Sequence, residues 1–221
     1  MHRTIQLALL LLLAATTTQS KAQFDIEDSH TTANLRGIHN VGGGVVWASG
    51  ENGTGRRSED DGYLWQLCTT PPGAEKLDFR GIQAFDENTA IVMSSGKGDL
   101  SRLYKTTDGC QTWKLLFTNP DKEGFWDALQ FTDRQNGYLI GDLVQIGNSE
   151  QRVFAFFHTA NGGQTWTADD RTEFAYPYGE YPAIFAASNS SMLIHNAGLV
   201  FVTGGSRVML NVELTAADCD A

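Results

Sequence analysis

Two arginines stand in the same setting: Arg36 in "LRGI" (Leu35–Ile38) and Arg80 in "FRGI" (Phe79–Ile82). A guanidinium suits a carboxylate, because it can donate two parallel hydrogen bonds to it. Asp127, Glu173 and Glu180, with Tyr178 and Tyr181, add the acid and nucleophile types that glycoside hydrolysis uses. Nothing in their spacing brings them to one point. Arg36 and Arg80 are therefore candidate ligand-binding residues, weighed against the plainer reading that they pack or form surface ion pairs. No residue is assigned a catalytic role. The corresponding segments further along, "FWDA" (Phe125–Ala128) and "YPAI" (Tyr181–Ile184), carry Trp126 and Pro182 where an arginine would stand.

Other chemistries find little to build on. The five histidines show neither zinc-ligand spacing nor a nearby Cys partner. "SEDD" (Ser58–Asp61) lacks the alternating carboxylates and distal Glu of a calcium loop. There is no nucleophile elbow, phosphate loop or dinucleotide fingerprint, so neither a metal nor a cofactor is expected. Of the three cysteines, Cys68, Cys110 and Cys219, at most two can pair within the chain, and a Cys68–Cys110 bridge is one option. "NGT" (Asn52–Thr54) and "NSS" (Asn189–Ser191) match glycosylation sequons.

The first 22 residues read as a secretory signal: a short basic start, the apolar run "LALLLLLAA", then a polar stretch ending on Ala22. That run is shorter than the roughly 20 residues a membrane span needs. Export is the expected localisation, with no membrane span once the signal is removed. The whole chain carries a net charge of −10. Loss of Arg3 and Lys21 with the signal takes the mature chain to about −12, which argues against a nucleic-acid partner.

The chain repeats itself. "SEDDGYLW" (Ser58–Trp65), "TTDGCQTW" (Thr106–Trp113) and "TANGGQTW" (Thr159–Trp166) share one grammar, with Trp-to-Trp spacings of 48 and 53 residues. A hydroxyl leads (Ser58, Thr106, Thr159), Asp60, Asp108 or Asn161 stands third, and Gly62 or Gly163 fifth. Thr112 and Thr165 precede the closing Trp113 and Trp166, and Trp65 closes the first octet. The Asp or Asn can close a turn on backbone N–H groups, and Gly supplies positive φ. In Cys110 the second octet has a side chain where Gly is expected, so the residue either strains the turn or exposes a thiol. Runs of 4–7 apolar, β-branched residues lie between glycine-rich turns, which predicts strands. Four strands in about 50 residues make a β-propeller blade. The fold class expected is all-β, a propeller of four-stranded antiparallel blades with about four units, the last incomplete.

The octets resemble the Asp-box, or BNR repeat, with pattern S/T-x-D-x-G-x-T-W. The longer stretch "LYKTTDGCQTWKLLFTNPDKEGFWDALQF" resembles bacterial BNR proteins related to the photosystem II stability/assembly factor, and the resemblance covers most of residues 34–205. Departures are Leu64 for Thr, Cys110 for Gly and Asn161 for Asp. That group is seven-bladed, and a fourth octet falls due near position 216 where none is written, so a truncated chain is expected. The expected organisation is a signal at 1–22, a linker at 23–33, the partial propeller at 34–210 and a tail at 211–221. The resemblance implies an exported, non-catalytic binding or assembly protein that takes a protein or glycan ligand at the propeller face. Sialidases share the Asp-box, which implies an alternative: an exo-glycosidase with three arginines on the substrate carboxylate, of which Arg36 matches the first motif and Arg80 repeats it. A fragment without independent activity is a third reading.

Overall fold

A computed structural model describes residues 25–145, 147–148, 150–169, 176, 179, 182–195, 198–205 and 208–212. The signal segment, residues 213–221 with the position near 216, and Glu173, Tyr178, Glu180 and Tyr181 lie outside the described residues.

Four antiparallel, four-stranded sheets are arranged as a four-bladed β-propeller. The first holds β1 (Leu35–Gly42), β2 (Val45–Gly50), β3 (Thr54–Ser58) and β4 (Gln66–Leu67). The second holds β5 (Phe79–Ala84), β6 (Ala90–Ser94), β7 (Arg102–Thr106) and β8 (Lys114–Thr118). The third holds β9 (Trp126–Phe131), β10 (Gly137–Gln145), β11 (Arg152–Thr159) and β12 (Thr167–Ala168), and in all three the strands pair in chain order. The fourth contains β13 (Pro182–Ala183), β14 (Met192–His195), β15 (Gly198–Gly205) and β16 (Met209–Val212).

Because a blade lies between two neighbours, its strands are apolar on both sides rather than alternating. All five residues of β6 are buried. Successive side chains point to opposite faces. Ala90 and Val92 therefore join Trp47, Ile82 and Tyr104 against the first sheet, while Ile91 and Met93 join Leu103, Trp126, Leu129 and Leu139 against the third. A further layer of Ile140, Phe154, Phe156, Met192, Leu199 and Phe201 fills the space between the third and fourth sheets.

The three octets fold into one hydrogen-bond pattern. Ser58, Thr106 and Thr159 donate through their hydroxyls to Asp60, Asp108 and Asn161 (2.7, 2.8 and 3.0 Å). The same hydroxyls accept the N–H of Gly62, Cys110 and Gly163 at 2.9–3.1 Å. Asp60, Asp108 and Asn161 accept the N–H four residues on, from Leu64, Thr112 and Thr165. Where Thr is kept, its hydroxyl adds a further bond, Thr112 to Asp108 and Asn161 Nδ2 to Thr165. The bonds from the Thr112 side chain and N–H, with that from Thr106, hold the Asp108 carboxyl down at about 2. The closing tryptophans are half-buried: Trp113 packs on the layer between the first two sheets and Trp166 on the next.

Two expectations need correction. Cys110 is buried at 3 % exposure and bonded to Cys68, so it offers no exposed thiol. Its φ is 63°, in the same left-handed region as Gly62 and Gly163, so this L-residue does occupy the glycine conformation. The fourth unit also departs from the expected order. Pro182–Ala183 pairs only with the end of β15, and β14 is the strand beside β9, tied there by Gln130, which donates to Met192 O (2.5 Å) and accepts from Ile194 N (3.3 Å). The cause is a turn in which Ser188 and Asn189 both adopt positive φ, carrying the chain inward before β14 starts.

Candidate functional site

The inner strands bring Arg36 and Arg80 to one edge. Arg36 pairs with Glu51 and, at 3.4 Å, with Asp78 Oδ1. Arg80 Nε meets Asp78 Oδ2 at 2.8 Å. Asp78 thus stands between two arginines from adjacent sheets, in a ladder of alternating sign that is roughly one-quarter to one-third exposed. Glu51 is further held by Asn34 Nδ2 at 2.8 Å, which with Arg36 keeps its carboxyl below the usual range. The structure therefore brings the two predicted arginines together, but each already holds a carboxylate.

In the third sheet Asp127 follows Trp126 just as Gly37 and Gly81 follow the arginines. It is 1 % exposed and its Oδ2 has no partner. Burial, reinforced by the charge of Asp142, pushes its carboxyl up to about 9 against the pull of Arg80. Burial raises Asp142 as well, although Asp142 Oδ1 accepts the Ile184 N–H at 3.1 Å. Glycoside hydrolysis needs one protonated and one ionised carboxyl at an open bond. Here both are driven towards the neutral form, and Asp127 is closed from solvent.

This arrangement has a pH signature. The unfolded Asp127 loses its proton near pH 4 while the folded one keeps it, so stability falls as pH rises from about 4 to about 9. Asp127→Asn should flatten that slope. We expect it to exceed wild type at pH 8 by on the order of 1–3 kcal/mol, with the gap closing at pH 4.5, as read from urea midpoints at the two values.

Inside the ring, Asn189 joins three sheets. It accepts the Leu129 N–H (3.0 Å) and donates to Ile82 O (3.2 Å), while Ser188 Oγ accepts the Ile38 N–H (3.0 Å). Asn189 is 7 % exposed, so the sequon at this position presents no free amide. Sequence reasoning missed Glu51, Asp78, Asp142 and Asn189 as partners. Asp78 carried a local signal, lying two residues before Arg80; Glu51 meets Arg36 across the β1–β2 pair of the first sheet, while Asp142 and Asn189 reach partners in other sheets. A cleft of about 420 Å³ lies elsewhere, lined by Lys105, Thr112, Trp113 and Gln164. Among the described residues no three His, Cys, Asp or Glu side chains stand together as metal ligands, and no helix is long and apolar enough to cross a membrane.

No family model matches the chain, and no curated protein does. Solved structures do. YCF48 bound to D1 peptide is 17 % identical with a TM-score of 0.53, covering 91 % of this chain and 62 % of its own. The GH74 enzyme of Niastella koreensis is 14 % identical with a TM-score of 0.50, covering 83 % and 29 % respectively. The sialidase of Trypanosoma rangeli in complex with sialic acid is 14 % identical with a TM-score of 0.43, covering 78 % and 27 %. The chain spans less than two-thirds of the length of each. The first two of these likenesses agree with a β-propeller fold.

Proposed function

We propose that this is an exported, non-catalytic β-propeller of the Asp-box type that binds a protein segment at the inner-strand edge, as an assembly factor does. The observation that carries the reading is Asp78 between Arg36 and Arg80. A sugar carboxylate would compete with Asp78 and Glu51 for these guanidiniums, whereas a polypeptide with charges of both signs can extend the ladder without breaking it. YCF48, whose fold is similar, was solved with a peptide bound. The Cys68–Cys110 bond fits an oxidising compartment, in support of export.

The test compares immobilised wild type with Asp78→Ala, which removes the carboxylate shared by the two arginines at a partly exposed edge. Incubated with the host's exported proteins, wild type should retain a discrete partner that Asp78→Ala and about 0.5 M salt both release. Equal retention by the two proteins, or none by wild type, would contradict the reading.

A further inference from the structure

At the octet end of the sheets, the interface between the first and second is closed, while the one between the second and third is open. Counted from their octets, Arg57, Glu59, Gln66 and Cys68 of the first unit correspond to Lys105, Thr107, Lys114 and Leu116 of the second. In the first interface the protein satisfies itself. Arg57 Nη2 meets Glu59 Oε1 and Gln66 Oε1, each at 2.7 Å. Cys68 is bonded to Cys110 of the next octet, and the Thr69 hydroxyl donates to Cys110 O and Gln111 O, both at 2.9 Å.

Each of these closures is missing one interface on. Thr107 stands for Glu59 and Lys114 for Gln66, so Lys105 finds no carboxylate, and its Nζ donates to Gly162 O at 2.8 Å. Leu116 faces Gly163 where the disulfide would be; a Cβ on Gly163 would lie 3.0 Å from Leu116 Cδ1. Phe117 stands in the place of Thr69 and stacks on Trp126 (5.2 Å). What remains is the cleft of about 420 Å³, whose lining carries two ammonium groups, Lys105 and Lys114, and no carboxylate. Burial and the charge of Arg134, itself paired with Asp86, depress the Lys105 ammonium. Asp108, in the adjoining octet, is engaged by Thr106 and Thr112. Trp113 and Leu116 make part of the wall apolar, and the Thr107 and Gln164 side chains hold no hydrogen bond among the described residues.

We infer that this cleft binds a carboxylated sugar, with the carboxylate between Lys105 and Lys114, a ring face on Trp113, and hydroxyls against Thr107 and Gln164. The ligand carboxylate takes the role that Glu59 has in the first interface, through charge-assisted hydrogen bonds. A neutral sugar would leave both ammonium groups without a counter-charge, and a plain organic acid would leave Thr107 and Gln164 without partners. An aromatic wall with a few placed polar groups is the make-up of a small-ligand site, and the volume falls within the range of one. The octets follow β3 and β7, whereas Arg36 and Arg80 stand near the starts of β1 and β5. Alternate strands of an antiparallel sheet run the same way, so the cleft lies at the opposite end of the sheets from the arginine ladder.

Isothermal titration of the full chain with uronate disaccharides of the gluco, galacto and manno series should find at least one with a Kd of about 1 mM or tighter, weakened by about 0.5 M salt. Its neutral disaccharide, and cyclohexanecarboxylate, should each bind about 10-fold more weakly or worse. Thr107→Glu supplies the carboxylate from within, as Glu59 does, and should weaken the uronate about 10-fold or more; Lys114→Gln, which copies Gln66, should weaken it about 5-fold. Asp78→Ala, at the ladder, should leave it unchanged. Both cleft variants sit at exposed positions, and circular dichroism checks that they fold. Should either misfold, the comparison of the three ligand types on wild type decides. No binding of any uronate up to about 10 mM would overturn the proposal, as would equal binding of either control ligand. So would an affinity that Thr107→Glu leaves intact or that Asp78→Ala removes.

Discussion

Replacing Cys110 with Ser will lower the unfolding free energy by about 4 kcal/mol, the loop-closure value for a bridge spanning 42 residues. The bridge joins the exit of the first sheet to the second octet. Thr69 donates from its N–H (3.2 Å) and hydroxyl (2.9 Å) to Cys110 O, and Trp113 Nε1 donates to Thr69 O at 2.9 Å. These bonds survive the substitution, so the loss should come mainly from the unfolded chain. Cys110→Gly discriminates further. It loses the same bridge but relieves an L-residue at φ 63°, so it should be about 1 kcal/mol less harmful than Ser. Urea unfolding with and without reductant checks both, and reductant should change wild type alone.

Asn189→Ala will cost about 3 kcal/mol. It leaves the buried Leu129 N–H and Ile82 carbonyl without their side-chain partner at the ring's centre. Gly81 should report the same contact from the other side. A Cβ there would stand 2.4 Å from Asn189 Oδ1, so Gly81→Ala must push Asn189 away. The double variant should therefore be less destabilised than the two singles summed, by at least about 1 kcal/mol in a double-mutant cycle. Additivity would mean that Gly81 and Asn189 do not share this contact.

The architecture was legible because it rests on local signals. Each octet closes on itself within four residues, so three copies of a turn grammar mark three hairpins before any tertiary contact is known. The buried strands were legible too, since runs such as Ala90–Ser94 are apolar on both faces and fit only a sheet between sheets. What sequence could not supply is pairing between units. Arg36 and Arg80 were marked as equivalent, but Asp78 serves both only because adjacent inner strands lie side by side. Asp127 looked like any pocket carboxylate, and its closed surroundings depend on Asp142 and the loop before β14. Cys110 broke the octet grammar, and the reason lies 42 residues away in Cys68. The fourth unit misled because its "YPAI" segment fits the repeat by eye, while two consecutive positive-φ residues, Ser188 and Asn189, redirect the chain and hand the place beside β9 to β14.

Whether the arginine ladder binds or catalyses is decided most directly by turnover. Purified protein should be incubated with a panel of aryl-glycosides and sialosides, alongside Arg36→Ala and Arg80→Ala. The engaged arginines and the two neutral-leaning carboxyls predict release at the buffer rate for all three proteins. Turnover by wild type that disappears in either arginine variant would contradict the binding account and establish a glycan-acting enzyme.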